Sequence, residues 1–171
     1  MIRVFQALMA LTILAALAAC GGSKPASKFR SYSGPPVTQI FVDKSDRKLY
    51  LLNGKTPLRG YEIDLGSQPV GHKQFEGDGK TPEGLYFIAR QNPNSQYHLS
   101  LGISYPDVTD VSRAMAFGQS AGSDIMIHGR GPYGNAVGKR DWTAGCIAVT
   151  DEEIEEIFAM VRPGTPILIS P

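Results

Sequence analysis

Short stretches of alternating apolar and polar residues recur along the chain from Val37 onward, a pattern typical of half-buried β-strands. The predicted strands are 37–42, 48–52, 59–65, 84–90, 97–105, 124–127 and 165–169. Asn53-Gly54 is a strong signal for a hairpin turn between the second and third of them. The polar, glycine-rich stretch 66–82 is expected to be a loop.

Two helices are predicted among these strands. The first is short: Asp110 is expected to cap it, and Gly118 to end it after Phe117. The second opens with a capping box over 150–153 and places apolar residues at helical spacing from Ile154 onward. The pattern therefore predicts a mainly β domain with α-helix, in which the clearest helix follows Cys146.

The first 20 residues have the pattern of an export signal rather than of a folded element. Arg3 precedes an apolar stretch, 4–16, that is too short to span a bilayer. Leu17-Ala18-Ala19-Cys20 resembles the end of a bacterial lipoprotein signal, in which the cysteine becomes lipid-modified and then the new N-terminus. The alternative is an ordinary secretory signal that ends at an incidental cysteine.

The domain organisation follows from this interpretation. We expect a signal peptide over 1–19, a lipidated Cys20 with a flexible Gly/Ser/Pro-rich tether over 20–36, and one catalytic domain over 37–171. The protein would then be periplasmic and bound to a membrane by its lipid. Gly21, rather than Asp, follows the cysteine, and the resemblance to lipoproteins of enteric-type bacteria then implies the outer membrane.

Length and composition fit one globular domain and exclude some partners. The chain has 171 residues, of which 42% are hydrophobic and 19% charged. Without Arg3, the 17 basic residues become 16 and equal the 16 acidic ones. This balance offers no electrostatic basis for binding nucleic acid.

Cys146 would be the single thiol of the mature protein once Cys20 carries a lipid, so no intramolecular disulfide could form. A lone cysteine in an oxidising compartment is commonly reactive or paired between molecules. A buried, inert cysteine is the alternative.

His128 lies 18 positions before Cys146, at the end of a predicted strand. A histidine within hydrogen-bond reach can take the proton of a thiol and return it to a leaving group. Gly145 would let the backbone approach a substrate carbonyl, and the Cys146 N–H could contribute to an oxyanion hole.

Two neighbours of Cys146 add candidate groups. The hydroxyl of Thr143 could face the same pocket. Asp141 could orient His128 or a basic residue, or could serve only to form a turn.

Ile127-His128-Gly129 followed by Thr143-Ala144-Gly145-Cys146-Ile147 resembles the catalytic signature of the L,D-transpeptidase (YkuD-type) family of bacterial cell-wall enzymes. Thr81-Pro82-Glu83-Gly84 is similar to the family's Thr-Pro-x-Gly segment, and 165–169 to its closing strand. The resemblance extends over 37–171.

The resemblance implies a β-sandwich-like domain without a metal or organic cofactor. Cys146 would attack the carbonyl between an L-centre and a D-centre of a peptidoglycan stem peptide, and a terminal D-amino acid would leave. His128 would be the base, with the Gly129 carbonyl holding its other ring nitrogen. An amine would then attack the thioester to form a cross-link, or water would attack it and trim the peptide.

Two departures from the family pattern leave the acceptor open. Many members carry His and Arg where this chain has Ala144 and Ala148. Gly145-Cys146-Ile147-Ala148, together with Tyr97-His98-Leu99-Ser100 and Ser104-Tyr105-Pro106, is more similar to a subgroup that includes peptidoglycan hydrolases releasing wall-attached lipoprotein. Transpeptidase, and carboxypeptidase or hydrolase, therefore both stay open, with a wall-attached lipoprotein as an alternative substrate.

Three further aromatic or imidazole side chains are candidates for substrate binding. His98 could line the groove or pair across strands. Trp142 could wall the pocket or pack beneath it. Tyr105 could bind substrate through its hydroxyl or could be an ordinary residue at a strand end.

Three other classes of protein are alternatives to a cysteine enzyme. A zinc site needs three or four ligands, and the mature chain offers one cysteine and three scattered histidines. A thiol redox protein would need a resolving cysteine. A non-catalytic peptidoglycan-binding lipoprotein is the remaining alternative, and it predicts that Cys146 is dispensable.

Overall fold

The computed structural model describes residues 27–171. The predicted signal peptide and Cys20 lie outside the described residues. From Ser27 to Pro36 the chain contacts the domain, since Arg30 pairs with Glu155 at 2.9 Å and Lys28 donates to the Pro93 carbonyl. None of the described helices is both long enough and apolar enough to cross a membrane.

The described chain contains eight strands and three helices, which alternate in short segments. The strands are β1 (Gln39–Asp43), β2 (Lys48–Asn53), β3 (Thr56–Glu62), β4 (Gly84–Asn92), β5 (Ser100–Ile103), β6 (Met126–His128), β7 (Ile147–Ala148) and β8 (Pro166–Ser170). The helices are α1 (Val108–Ala116), α2 (Gly131–Ala136) and α3 (Asp151–Met160). The prediction of a mainly β domain with a helix after Cys146 is confirmed.

The strands form one mixed sheet in the order β3-β2-β1-β8-β4-β5-β6-β7. The pairs β1–β8 and β6–β7 are parallel, and the remaining neighbours are antiparallel. Beyond the end of β3, Asp64 forms an antiparallel bridge with Ala148 of β7. The sheet therefore curls until its two edges meet, and this junction, 64–67 against 143–148, is called the seam.

The core lies inside the curl and is filled by branched aliphatic side chains. Its fully buried members include Ile40, Leu49, Leu51, Leu101, Ile127, Ile147, Ile154 and Ile167. Helix α3 contributes Ile154 and Ile157. It begins with the predicted capping box: Thr150 Oγ1 accepts from the Glu153 N–H at 3.2 Å, and Glu153 accepts from the Thr150 N–H at 2.8 Å.

Several predicted boundaries were wrong. The third strand begins at Thr56 rather than at position 59, because the Asn53-Gly54 turn pairs the chain at once with β2. The fifth strand covers only Ser100–Ile103 of the predicted 97–105. Asp107, rather than Asp110, caps α1. Asp110 is the third residue of that helix, and its carboxylate accepts the Asp107 N–H to complete the capping box.

Candidate active site

The seam fixes the loop that carries Cys146. Asp64 and Ala148 exchange two backbone hydrogen bonds, of 2.9 and 2.8 Å. Five residues before Ala148, the Thr143 N–H donates to the Leu65 carbonyl at 3.2 Å, and the Ser67 N–H donates to the Thr143 carbonyl at 3.0 Å. The segment on either side of Cys146 is therefore held as firmly as a strand, although β7 itself is very short.

Gly145 brings the backbone before Cys146 into a conformation that favours glycine. Its φ is +136°, and a Cβ at this position would lie 2.6 Å from the Lys80 carbonyl oxygen. The glycine-rich loop 66–82 thus packs directly against the residue before the thiol. The close approach expected at Gly145 is made to the protein's own backbone.

Cys146 is half-buried at the start of β7. Its Sγ donates to the Asp124 carbonyl at 3.5 Å, just before β6 begins. Asp124 has a positive φ of 57°, an uncommon conformation for a residue other than glycine, and it aims this carbonyl at the sulfur. The thiol therefore has a defined acceptor within the site.

His128 ends β6 beside the strand that follows Cys146. It pairs with Ala148 in the parallel β6–β7 ladder. Cys146 immediately precedes β7, and its Sγ reaches the Asp124 carbonyl just before β6. The predicted nucleophile therefore lies at the start, and the predicted base at the end, of the paired strands β7 and β6.

The tautomer of His128 is fixed by a backbone carbonyl. Nδ1 lies 2.6 Å from the Gly129 oxygen, and since a carbonyl only accepts, Nδ1 carries the proton and Nε2 is the basic nitrogen. The ring lies beside Tyr97, with centroids 4.6 Å apart, and edge-on to Trp142 at 5.8 Å. These two rings restrict the orientation of the imidazole.

Gly129 is required by packing as well as by its carbonyl. A Cβ there would lie 2.5 Å from an Asp151 carboxylate oxygen and 2.9 Å from the Tyr97 carbonyl oxygen. Asp151 Oδ1 accepts the N–H groups of Arg130 and Gly131, both at 2.8 Å. The first turn of α3 thereby fixes the turn that follows His128.

Burial makes the neutral forms of both groups more stable. It lowers the pKa of His128, an effect that the Gly129 carbonyl partly offsets. It raises the pKa of the Cys146 thiol, partly offset by a backbone hydrogen bond from Met126. Within residues 27–171, Cys146 and His128 make no hydrogen bond to each other. The resting site therefore holds a neutral thiol beside a neutral imidazole.

The side chains of Thr143 and Asp141 make hydrogen bonds and an ion pair at the seam. Thr143 Oγ1 donates to the Cys146 carbonyl at 2.7 Å and accepts from the Gly145 N–H at 3.1 Å, so its hydroxyl is used within the loop. Asp141 pairs with Arg47 at 2.8 Å and accepts the Leu65 N–H at 2.9 Å. Of the alternatives for Asp141, the structure supports pairing with a basic residue, not orientation of His128.

Tyr105 and His98 have structural contacts in place of the predicted substrate contacts. Tyr105 is buried in the core, and its hydroxyl donates to the Ala121 carbonyl at 2.8 Å. His98 Nε2 lies 2.9 Å from Glu155 Oε1 on α3. Of the alternatives, the structure supports an ordinary structural role for Tyr105, and it pairs His98 with a helix rather than across strands.

Trp142 lies among side chains that the sequence did not single out. Its ring contacts Tyr97, Tyr133 and His128, and the Arg130 guanidinium lies 5.6 Å from the ring centroid. Trp142 thus packs against the base. Among the described residues, the Trp142 indole N–H is buried without a hydrogen-bond partner.

Ser100 is a second buried polar group beside the base. It pairs with His128 in the β5–β6 ladder, and its hydroxyl likewise has no partner among the described residues. Tyr97 and Ser100 lie within a predicted strand that also belongs to the family resemblance, but neither was predicted to neighbour His128. Within residues 27–171, no group of three or more His, Cys, Asp or Glu side chains is arranged to hold a metal ion.

Comparison with known proteins gives one family. Residues 38–169 match the model of the L,D-transpeptidase catalytic domain, YkuD. A curated relative, "Putative L,D-transpeptidase YafK" of Escherichia coli K12, is 35% identical over 133 residues, which are 75% of this chain and 48% of that protein. The chain thus spans about half the length of the curated relatives it matches.

Solved structures with the same fold include a cell shape determining protein and an L,D-transpeptidase. The helical cell shape determining protein Pgp2 of Campylobacter jejuni, in a mutant form, aligns with a TM-score of 0.62 and 27% identity, over 81% of this chain and 48% of that one. Bd1075 of Bdellovibrio bacteriovorus aligns with a TM-score of 0.55 and 28% identity, over 79% and 47%. An L,D-transpeptidase of Enterococcus faecium, 15% identical over 80% and 50%, shares the fold with a TM-score of 0.52.

Proposed function

Because the chain belongs to the L,D-transpeptidase catalytic domain (YkuD) family, we propose that it is a cysteine-dependent peptidoglycan L,D-transpeptidase. In this proposal Cys146 is the nucleophile, His128 is the base, and peptidoglycan stem peptides are the substrate. The observation that carries it is the placement of Cys146 and His128 beside the paired strands β6 and β7, with Nδ1 of His128 held by the Gly129 carbonyl.

The reaction begins with proton transfer inside the neutral pair. Sγ leaves the Asp124 carbonyl, gives its proton to Nε2 of His128, and attacks the carbonyl carbon of the L-centre. The C–N bond to the D-amino acid then breaks, and the leaving amine takes the proton from the imidazolium. The product is a thioester on Cys146 and a free D-amino acid.

The thioester is then resolved by an acceptor. An amine of a second stem peptide gives an L,D-cross-link, and water gives a shortened stem. In both cases His128 removes a proton from the attacking group, and Sγ departs and is reprotonated. The hydrolytic outcome corresponds to an L,D-carboxypeptidase or to release of a wall-attached lipoprotein.

The proposed location follows from the interpretation of Cys20. A lipid on Cys20 would hold the domain at a membrane facing the periplasm, in reach of the cell wall. The outer membrane is proposed from Gly21 alone.

The deciding experiment is mass spectrometry of purified muropeptides incubated with the full-length protein in detergent. Cys146→Ala and His128→Gln are expected to abolish product, a loss of at least about 10³-fold, because each removes one member of a pair that acts as a unit. Cys20→Ser is the matched control: it removes the other thiol and is expected to retain activity in detergent.

The products distinguish the candidate functions. New L,D-linked dimers that depend on Cys146 would support a transpeptidase. Shortened stems or a released peptide without dimers would identify a hydrolase that uses the same thioester. Binding of muropeptides without any Cys146-dependent product would contradict the enzyme and favour a wall-binding protein.

A further inference from the structure

A charged cleft opens next to the strand that follows the nucleophile. It has a volume of about 470 Å³, and its lining includes three basic residues, three acidic residues and Ala148: Arg130, Lys139, Arg140, Glu62, Asp64, Glu153 and Ala148. Ala148 pairs with His128 across β6–β7 and lies two residues after Cys146. At about 3.3 Å per residue of strand, Ala148, which lines the cleft, is roughly 7 Å along the chain from Cys146.

Two arginines in this cleft share one carboxylate. Arg130 Nη1 donates to Asp64 Oδ2 at 2.6 Å, and Arg140 Nε donates to Asp64 Oδ1 at 3.4 Å. Arg130 also lies over the Trp142 ring, which contacts His128. The guanidinium groups are therefore connected by direct contacts to the ring that orients the base.

Donor groups in the cleft exceed the acceptors that the protein supplies. Arg130 Nη2 and Arg140 Nη1 make no hydrogen bond within residues 27–171, although a guanidinium carries five N–H donors. Arg140 is 62% exposed, and its contacts to Asp64 and Glu62 are long, 3.4 and 3.5 Å. Exposed Lys139 has no ion pair or hydrogen bond with any described residue.

The small side chain of Ala148 leaves the floor of the cleft open between these groups. A pair of arginine donors with unused N–H groups matches the two oxygens of a carboxylate, the group that guanidinium binds with the best geometry. Asp64 holds Arg130 at 2.6 Å, and the more exposed Arg140 reaches the other oxygen of the same carboxylate at 3.4 Å, so both guanidinium groups converge on one side of the cleft.

We propose that this cleft is a recognition site for a free carboxylate of the stem peptide, bound by Arg130, Lys139 and Arg140 one or two residues from the scissile bond. This inference rests on the proposed function. A stem peptide can supply the carboxylate from two sources: the leaving D-amino acid, or the side chain of a diamino acid that ends in a carboxylate-bearing centre. The site thus selects donor stems by charge.

The test uses the double variant Lys139→Gln/Arg140→Gln in the full-length protein. Both side chains are exposed and Asp64 keeps Arg130, so the fold is expected to be unaffected. Arg162→Gln is the control, since Arg162 is exposed and lies outside the cleft. For tetrapeptide stems with free carboxylates, the double variant is expected to raise KM at least about tenfold, with kcat little changed.

Substrate amides identify the source of the carboxylate. If a terminal amide on the leaving residue abolishes the KM difference, that residue supplies the carboxylate. If an amide on the side-chain carboxylate of the diamino acid abolishes it, the side chain does. An equal KM for the double variant and the control on every stem would overturn the proposal.

Calorimetric binding of the same stems to the Cys146→Ala protein keeps this inference separate from the enzyme proposal. A tenfold weaker Kd in the Lys139→Gln/Arg140→Gln background, even without turnover by any form, supports the carboxylate site while contradicting the enzyme. Turnover with an unchanged Kd supports the enzyme and contradicts the carboxylate site.

Discussion

At the scale of single residues, the site combines a thiol and an imidazole that are both held neutral. Burial raises the pKa of Cys146 and lowers that of His128, so both shifts oppose a thiolate–imidazolium pair. The nucleophile is then generated only when the proton moves to Nε2 during attack. Because His128 stays neutral to lower pH than an exposed histidine, the acid limb of kcat/KM is expected below pH 6.5.

Alkylation of Cys146 by iodoacetamide measures this protonation state directly. In a Cys20→Ser background, the rate is expected to rise tenfold per pH unit through neutral pH and to keep rising beyond about pH 9, since only the thiolate reacts. Cys146→Ser is the control for residual reactivity. A plateau in the alkylation rate below pH 7 would mean a preformed thiolate and would contradict the neutral pair.

The sequence predicts candidate site residues from their neighbours along the chain. It does not show which distant residues these side chains contact. Cys146, His128 and Gly129 were predicted from the residues directly beside them in the chain. Asp141 finds Arg47, which is 94 positions away, and His98 finds Glu155, 57 positions away. Such pairings form only when the sheet curls, so no local sequence pattern could predict them.

At the scale of elements, the loop 66–82 supports the nucleophile and is itself held by a buried lysine. Lys44 is only 2% exposed, and its Nζ donates to the Gly71 and Thr81 carbonyls at 2.7 and 3.1 Å and pairs with Glu83 at 2.7 Å. The Lys80 carbonyl of the same loop packs against Gly145.

Lys44→Met is therefore expected to destabilise the fold and to loosen the loop. It leaves buried carbonyl groups without a donor, at a cost of about 1–3 kcal/mol for each unsatisfied group, measured as the free energy of unfolding in urea. Lys48→Met is the matched control: its pair with Glu62 is exposed, and its loss is expected to leave the free energy of unfolding nearly unchanged. Equal unfolding free energies for the two variants would show that Lys44 does not anchor the loop.

Alternation and turn signals predicted most strands, whereas the elements that depend on the seam escaped prediction. β7 is only two residues long, and it is extended because its backbone pairs with β6 on one side and with Asp64 on the other. α2 contains two glycines and a proline and gave no helical signal. β3 includes Pro57, which is tolerated because this strand ends the hydrogen-bonded order of the sheet.

At the scale of the whole molecule, the distance between the proposed lipid and the domain is limited by covalent geometry. Lys28 and Arg30 bond to Pro93 and Glu155 on the domain surface, so the chain is attached to the domain from about Ser27 onward. The residues between Cys20 and Ser27 can span at most roughly 25 Å, whatever their conformation. A lipid on Cys20 would therefore keep the active site close to the membrane surface.

Metabolic labelling with an alkyne fatty acid tests this arrangement in cells. The full-length protein is expected to carry the label and to sediment with membranes, because two or more acyl chains bind a bilayer far more stably than a single chain. Cys20→Ser is expected to lose the label, and Cys146→Ser, which removes the other thiol, to keep it. Label lost with Cys146→Ser and retained with Cys20→Ser would place the acyl group on the catalytic thiol, and membrane attachment would then need another explanation.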